Sequence, residues 1–581
     1  MEFCVDFGAE DVARLAPCKD DKPKYTEITL FQAGSDYLFL AKQSDCDEAV
    51  AVIFRKIPSY IKCGGIFIME SASKLLKNTL ILALSTIILR FFTLFFQSYL
   101  ASSIGAEKLG IFGIISSVGV VFATISISGI RFSVTRLVAE EKSQGNPHPH
   151  SLMRCAFLYA SFFGIVSGLT MFFGADLLSR YWVMDSSVAS ALRIMAISMP
   201  LIAFGSVAEG FFAAKQKVFR LVVVEIGAQI LRILFVMLSF SKNIPLSVTD
   251  ILSVGMLIGE GSLAVGMLLL YFAETINKKE NSPTDKNLRR LGKTALPLAV
   301  SAYMRTGLSS LGQIIIPHGL KKNGMKSSAA FSTYGVITQM AFPVVMFSAA
   351  LLGALGEILV PRLTQAQVQG KKLGVSYIVN RALRIGVVFS FGVAGVMYFY
   401  SGLLGKAVYH SEEAGFYIKI FALIVPVIYI DCVTDGCLKG LGQQVYSMIY
   451  NVLEGIMNVV LLFILLPRVA IIGYIAVMYI KEIFNAYLSL RRLSKVTSID
   501  FKSMGILTAL ICSAGAGVFC NIAFPTATVV VKIAVYLCFY VSLLYVGSGV
   551  SRDDIKWILH LCRENNVKKP VLGVDKTAIG R

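Results

Sequence analysis

The sequence predicts an all-α integral membrane protein of about fourteen transmembrane helices: two six-helix lobes in pseudo-two-fold relation, with two extra helices at the C-terminal end. Three observations carry this reading. Of 581 residues, 55% are apolar and only 16% are charged, whereas soluble domains carry about 25% charged residues. From Met69 onward there are fourteen apolar segments, the first at 78–101 and the last at 527–548, each near the ~20 residues a helix needs to cross a bilayer. The stretch from Pro200 to Phe240 is echoed 226 residues later, from Pro426 to Leu466.

Helices are expected because a spanning segment must satisfy its own backbone hydrogen bonds. The alternating ten-residue segments of a membrane barrel are absent. In the echo, each copy opens with a proline inside an apolar run, Pro200 or Pro426, and meets an acid-glycine pair nine residues on, Glu209-Gly210 or Asp435-Gly436. A short polar elbow follows (AAKQKV; KGLGQQV), then a second apolar run carrying an acid, Glu225 or Glu454. Repeats of this kind build many secondary transporters, with the substrate site between them. An even number of helices per repeat gives a parallel arrangement about an axis along the membrane normal.

The chain then reads in order as an N-terminal extension (1–68), a first lobe (69–275), a linker loop (276–293), a second lobe (294–495), two added spans (496–550) and a polar tail (551–581) with one interfacial helix around DDIKWILHLCREN. The extension differs from the rest. It holds 8 Lys/Arg against 11 Asp/Glu, and TEITLF and DYLFLAKQ around QAGS predict a β-hairpin. It carries no signal-peptide pattern. It reads as a mis-set translation start or a loosely attached extension, with a small cytoplasmic domain as the alternative. Met69 then opens a normal first span preceded by Lys74 and Lys77.

The net charge of +19 lies in loops that punctuate apolar spans; it forms no single basic face, so nucleic acid is not an expected partner. Counted over alternate connections, one side holds 24 Lys/Arg and the other 8. By the positive-inside rule, both termini are cytoplasmic. The eleven cysteines include no CxxC pair, so neither a metal site nor a disulfide framework is implied. No P-loop, GxSxG or HExxH arrangement is present; no cofactor and no catalytic residue is expected.

Charges within spans point to function, because an ionisable residue at bilayer depth must face a cavity or a partner. Arg90 sits in the first span and Arg305 at the corresponding place in the seventh. Together they are candidates to hold an anion in the central cleft, and Arg131 at the end of the second span is a third. Arginine suits phosphate because its planar fork bonds bidentately and stays charged. The alternative is structural pairing with Glu209, Glu225 or Glu260. The acids Glu209, Glu225, Asp431, Asp435 and Glu454, with Arg232, Lys481 and Glu482, read either as coupling groups for protons or cations or as interhelix ion pairs. Pro200 and Pro426 are candidate hinges.

Residues 102–146 (SSIGAEKLGIFGIISSVGVVFATISISGIRFSVTRLVAEEKSQGN), 314–366 (IIIPHGLKKNG through VPRLTQA) and the elbow DGCLKGLGQQ (435–444) resemble the stage V sporulation protein B branch of polysaccharide flippases. That branch belongs to the multidrug/oligosaccharidyl-lipid/polysaccharide (MOP) exporter superfamily, and the likeness runs from Met69 to about Ser548. The resemblance implies a V-shaped pair of MATE-like lobes opening alternately to each side. It also implies a cationic cleft for the pyrophosphate of an undecaprenyl-linked saccharide, and a groove for the lipid tail formed with the last two helices. Arg90 is similar in position to a first-helix arginine of the lipid II flippases; a second such arginine has no counterpart, with Phe96-Gln97 in its region.

The expected function is translocation of an undecaprenyl-pyrophosphate-linked saccharide, a peptidoglycan, spore-cortex or polysaccharide precursor, across a bacterial plasma membrane. A monomeric transporter working with its lipid-linked oligosaccharide and membrane lipids is expected, not an enzyme. A drug or organic-cation antiporter of the same superfamily and a non-transporting protein of cell-wall assembly are the alternatives.

Overall fold

The computed structural model describes residues 25–33, 36–43, 49–54, 59–143, 150–242, 244–275, 284–500 and 504–547, with Asp554 and Trp557. The chain divides into two compact units, Met1–Lys77 and Asn78–Arg581. In the first, β1 (Tyr25–Ala33), β2 (Asp36–Gln43) and β3 (Ala49–Phe54) form an antiparallel meander in that order. The expected hairpin is its first half, with Phe31 opposite Leu38 and Ala33 opposite Asp36. The third strand goes beyond that expectation; its AVAVIF run alternates alanine with β-branched valine, which suits a pleated surface. The expected tail helix lies outside the described residues apart from Asp554 and Trp557, as do residues 276–283 of the expected linker.

Among the described residues the rest is helical. Helix α1 (Ser59–Ile127) is followed by α2 (Ile130–Ser143), α3 (His150–Leu178), α4 (Ala189–Ala214), α5 (Val218–Ser241) and α6 (Val248–Thr275). Then come α7 (Thr284–Lys322), α8 (Ser327–Gly335), a π-helical segment (Val336–Ala341), α9 (Phe342–Phe347) and α10 (Ala349–Val368). The remainder is α11 (Lys372–Phe399), α12 (Ser401–Tyr409), α13 (Glu412–Ala422), α14 (Val425–Gly440), α15 (Gln444–Val496), α16 (Ile506–Ala523) and α17 (Val529–Val546). Ten of these stretches are long and apolar enough to cross a membrane, or eleven if α13 and α14, bent by 59°, count as one span. Two of the ten, Leu84–Glu141 and Gln444–Val496, have 58 and 53 residues, about twice what a bilayer requires. Many outward residues are apolar: Phe173, Ile472, Ile522 and Val530 are 73–77% exposed. An apolar surface of this extent is what lipid covers. The chain is a multi-pass membrane protein.

Local sequence explains where the long helices break. Gly105 in SSIGAEKLG takes φ +76°, and Ser128 and Gly129 take φ +42° and +71° between α1 and α2. In α15 the break falls at Val469 and Ala470, just after Pro467, where proline has no N–H for the preceding turn. Pro200 lies inside α4 against Gly164 and Gly168 of α3, and Ser126 donates to the Met199 carbonyl at 2.5 Å. Pro426 sits in the first turn of α14, immediately after the bend from α13, a position that tolerates proline.

The echo seen in the sequence recurs as packing. A methyl group on Gly210 of α4 would come within 2.6 Å of the Arg131 carbonyl of α2; one on Gly436 of α14 would come within 2.7 Å of Gly356 of α10. Thr135 donates to the Gly210 carbonyl at 3.2 Å, and Thr364 donates to the Gly440 carbonyl at 2.8 Å. Both crossings use a close glycine contact and a threonine-to-glycine-carbonyl bond, with the bond one helical turn further along α14. The last two helices are held to α11 by a different device. Gly392 and Gly395 leave room for the Tyr540 and Tyr536 rings, Tyr540 Oη donates to the Val388 carbonyl at 2.8 Å, and Ser513 Oγ donates to the Phe391 carbonyl at 2.9 Å.

Candidate functional site

Early in each of the chain's two halves, α1 and α7 each present a largely polar stripe in an otherwise apolar span. On α1 the stripe is Gly113, Ser116, Ser117 and Val120; on α7 it is Arg305, Thr306, Ser309, Ser310 and Gln313. The spacings place each set on one helix face. With Gln339 they line a cavity of about 370 Å³. Gln339 belongs to the π-helical segment, a local widening often found at functional sites. Arg305 is the one charged side chain in this lining, it is exposed, and no carboxylate pairs with it among the described residues. An unpaired guanidinium among hydroxyls and amides is chemically a site for a polar anion, with neutral groups able to bond sugar hydroxyls.

Hydrogen bonds join the two halves beside this cavity. Ser310 Oγ donates to the Ser117 carbonyl at 3.0 Å, Thr124 and Thr306 hydroxyls meet at 3.3 Å, and Tyr303 Oη donates to Ser128 Oγ at 2.8 Å. Beyond the cavity, α1 and α8 cross with no side chain between them. A methyl group on Gly110 would lie 2.1 Å from the Phe331 carbonyl oxygen, and one on Gly335 2.1 Å from that of Ala106. Glu107 accepts a short hydrogen bond from Ser328 beside this crossing. At the other end of the α1–α2 run, Arg290 of α7 forks onto Glu140 and Glu141, at 2.7 Å each.

The other candidate residues are distributed as follows. Arg90 is exposed on the first part of α1, before the Gly105 break, with no ion pair among the described residues. Arg131 does not line the cavity; its Nη1 lies 3.2 Å from Glu209 Oε2, with Glu209 buried in α4, and it also acts on Glu225 of α5. Arg232 of α5 sits over the Phe96 ring with its centroid at 5.5 Å, in electrostatic contact with Glu260. The second half gathers its acids into one cluster on α14 and α15. Lys481 Nζ lies 2.9 Å from Glu454 and 2.6 Å from Glu482, Asn485 donates to Asp431 at 2.9 Å, and Ser447 donates to Asp435 at 2.6 Å. The structure therefore brings Asp431, Asp435 and Glu454 together, and pairs Glu209 with Arg131. The hydroxyl and amide lining of the cavity is the part that a charge-based reading passes over. Its signal is the recurrence of Ser, Thr and Gln at helical spacing through SSLGQ and its surroundings.

Residues 75–367 match the family described as polysaccharide biosynthesis protein. The chain belongs to that family. It is 22% identical over 440 residues to stage V sporulation protein B of Bacillus subtilis (strain 168), covering 74% of this chain and 85% of that one. It is 21% identical over 384 residues to sporulation protein YkvU of the same organism, covering 63% and 82%. Among solved structures, the lipid II flippase MurJ in an inward closed conformation superposes with a TM-score of 0.65 at 15% identity, covering 82% of this chain and all of that one. An inward-facing multidrug resistance MATE family transporter of the MOP superfamily gives 0.56 at 13% identity, covering 75% and 98%. This member of the polysaccharide biosynthesis family thus has the fold of the MurJ and MATE transporters.

Proposed function

We propose that this protein is a flippase that carries an undecaprenyl-pyrophosphate-linked saccharide across the bacterial plasma membrane by alternating access. The observation that carries the proposal is the cavity between α1 and α7, where the unpaired Arg305 stands among serine, threonine and glutamine side chains. Family membership and the name of the MurJ neighbour support the same substrate class. In this reading fourteen spans result once the two overlong helices are each divided at their breaks, the bent α13–α14 pair counts as one span, and α7, 39 residues long, is added. Residues 69–275 and 294–495 are the two six-helix lobes, 276–293 is the linker, and the 496–550 pair guides the lipid tail, leaving 1–68 outside the transporter. Loop charge puts both termini in the cytoplasm, and the transporter acts as a monomer.

Arg305 binds pyrophosphate in the conformation described. Arg90 and Arg131 join it as the lobes rock about Pro200 and Pro426, with Arg131 exchanging Glu209 for the substrate. The ion pairs Arg131–Glu209 and Lys481–Glu454 are then candidates for the groups that couple the cycle, together with Glu225, Asp431 and Asp435.

The test is translocation of a fluorescent undecaprenyl-pyrophosphate saccharide in proteoliposomes. Arg305→Ala should slow transport by roughly 10- to 100-fold, the value of one charge-assisted contact, and Arg90→Ala should also lower it. Folded parent protein that exports an organic cation and leaves the saccharide lipid in place would instead establish the antiporter, a reading favoured by the acid cluster of α14 and α15.

A further inference from the structure

A second cavity, about 600 Å³, lies between α3, α4 and α6 and shares no residue with the first. On α3 its lining is His150, Arg154 and Phe157; on α6 it is Leu268, Tyr271, Phe272 and Thr275, with Phe204 of α4 between them. These spacings put one stripe of each helix toward the other. The cavity is graded along its length. Its mouth, where α3 begins and α6 ends, holds His150, Arg154 and Thr275. Its interior, roughly 10 Å along the helices, is aromatic, with Phe157 against Tyr271 at 5.5 Å and against Phe204 at 6.2 Å.

Two features decide what fits. Arg154 is exposed, and no carboxylate pairs with it among the described residues. Next to Thr275, Glu274 is met by three cations, Lys215 at 3.0 Å, Lys217 at 2.7 Å and Arg220 at 2.9 Å, so this end of the bundle keeps an excess of positive charge. Phe272 is also 54% exposed, and Leu269 of α6 and Leu158 of α3 are exposed at 64% and 63%. The aromatic interior is therefore continuous with the apolar surface that lipid covers. An occupant needs an anionic head at the mouth and an apolar body that leads into the bilayer.

We propose that this cavity is a binding site for an anionic glycerophospholipid, its phosphate held by Arg154 and the upper part of an acyl chain lying against Phe157, Tyr271 and Phe272. That the lipid belongs to the cytoplasmic leaflet rests on the orientation proposed above; the binding itself does not.

The experiment is native mass spectrometry of the delipidated full-length protein titrated with phosphatidylglycerol, with phosphatidylcholine of the same chains, and with inorganic phosphate as competitor. Phosphatidylglycerol should bind about tenfold more tightly than phosphatidylcholine, the order expected of a basic residue beside an anionic lipid. Arg154→Glu should remove that preference, and Arg154→Lys should keep most of it. Leu268→Trp, which fills the cavity without changing charge, should weaken both lipids. Equal affinity for the two lipids, phosphatidylglycerol binding unchanged in both Arg154→Glu and Leu268→Trp, or displacement by inorganic phosphate at similar concentration would each overturn the proposal. Transport is not measured, so the outcome is independent of the flippase reading.

Discussion

Lys481 stands among more negative charge than it can neutralise. Glu454 and Glu482 both contact its ammonium, and Asp431 and Asp435 act on the same region of α14 and α15. Breaking a largely buried pair leaves uncompensated charge, which typically costs about 3 kcal/mol or more. Lys481→Met should therefore lower the thermal unfolding midpoint in detergent markedly, and Lys481→Met combined with Glu454→Gln should recover part of the loss. An unchanged midpoint in the single variant would mean that the carboxylates find other cations. Arg305 is the opposite case. Nothing among the described residues neutralises it, so its removal should cost transport and leave stability nearly intact, with thermal unfolding as the control.

At the level of helices, two breaks fall at punctuation in the sequence. SSIGAEKLG carries the turn at Gly105, and PRVA carries the interruption of α15. The position of the second break was less legible, because Pro467 signals a stop while the residue that takes the unusual backbone is Ala470, at φ +49°. A side chain there is strained, and glycine is not. Ala470→Gly should raise stability by about 1 kcal/mol, read as a higher unfolding midpoint; a fall would show that the break is maintained by the alanine methyl contact. The number of spans was harder to read back from the fold, since α1 and α15 each run through two apolar segments as one kinked helix.

For the molecule as a whole, Gly210 and Gly436, 226 positions apart in the sequence, are both sites of close helix approach, the first to the Arg131 carbonyl and the second to Gly356. The cavity was only partly legible. Arg305 announces itself as a charge in an apolar span, but Ser116, Ser117, Ser309 and Gln339 become a site only when α1, α7 and the π-helical segment meet, and hydroxyls are common in buried helices. For Arg131 the sequence offered two readings, an anion site or pairing with Glu209, Glu225 or Glu260, and the structure shows the pairing, with Glu209, 78 residues away. Long-range pairing of this kind is set by tertiary packing.

The glycine crossing of α1 with α8 has one more consequence. Its contacts are between backbones, at Gly110 and Gly335, whereas the far end of the same run is fastened by Arg290 onto Glu140 and Glu141. Ionic strength reaches these two closures unequally. The half-buried Arg290 pairs weaken in part as the Debye length falls from about 10 Å at 0.1 M to about 3 Å at 1 M salt, while the tight glycine contact carries no net charge to screen. Spectroscopic distances between spin labels at the two ends should therefore lengthen with added salt at the Arg290 end alone, so that salt loosens one closure of this fold and leaves the other intact.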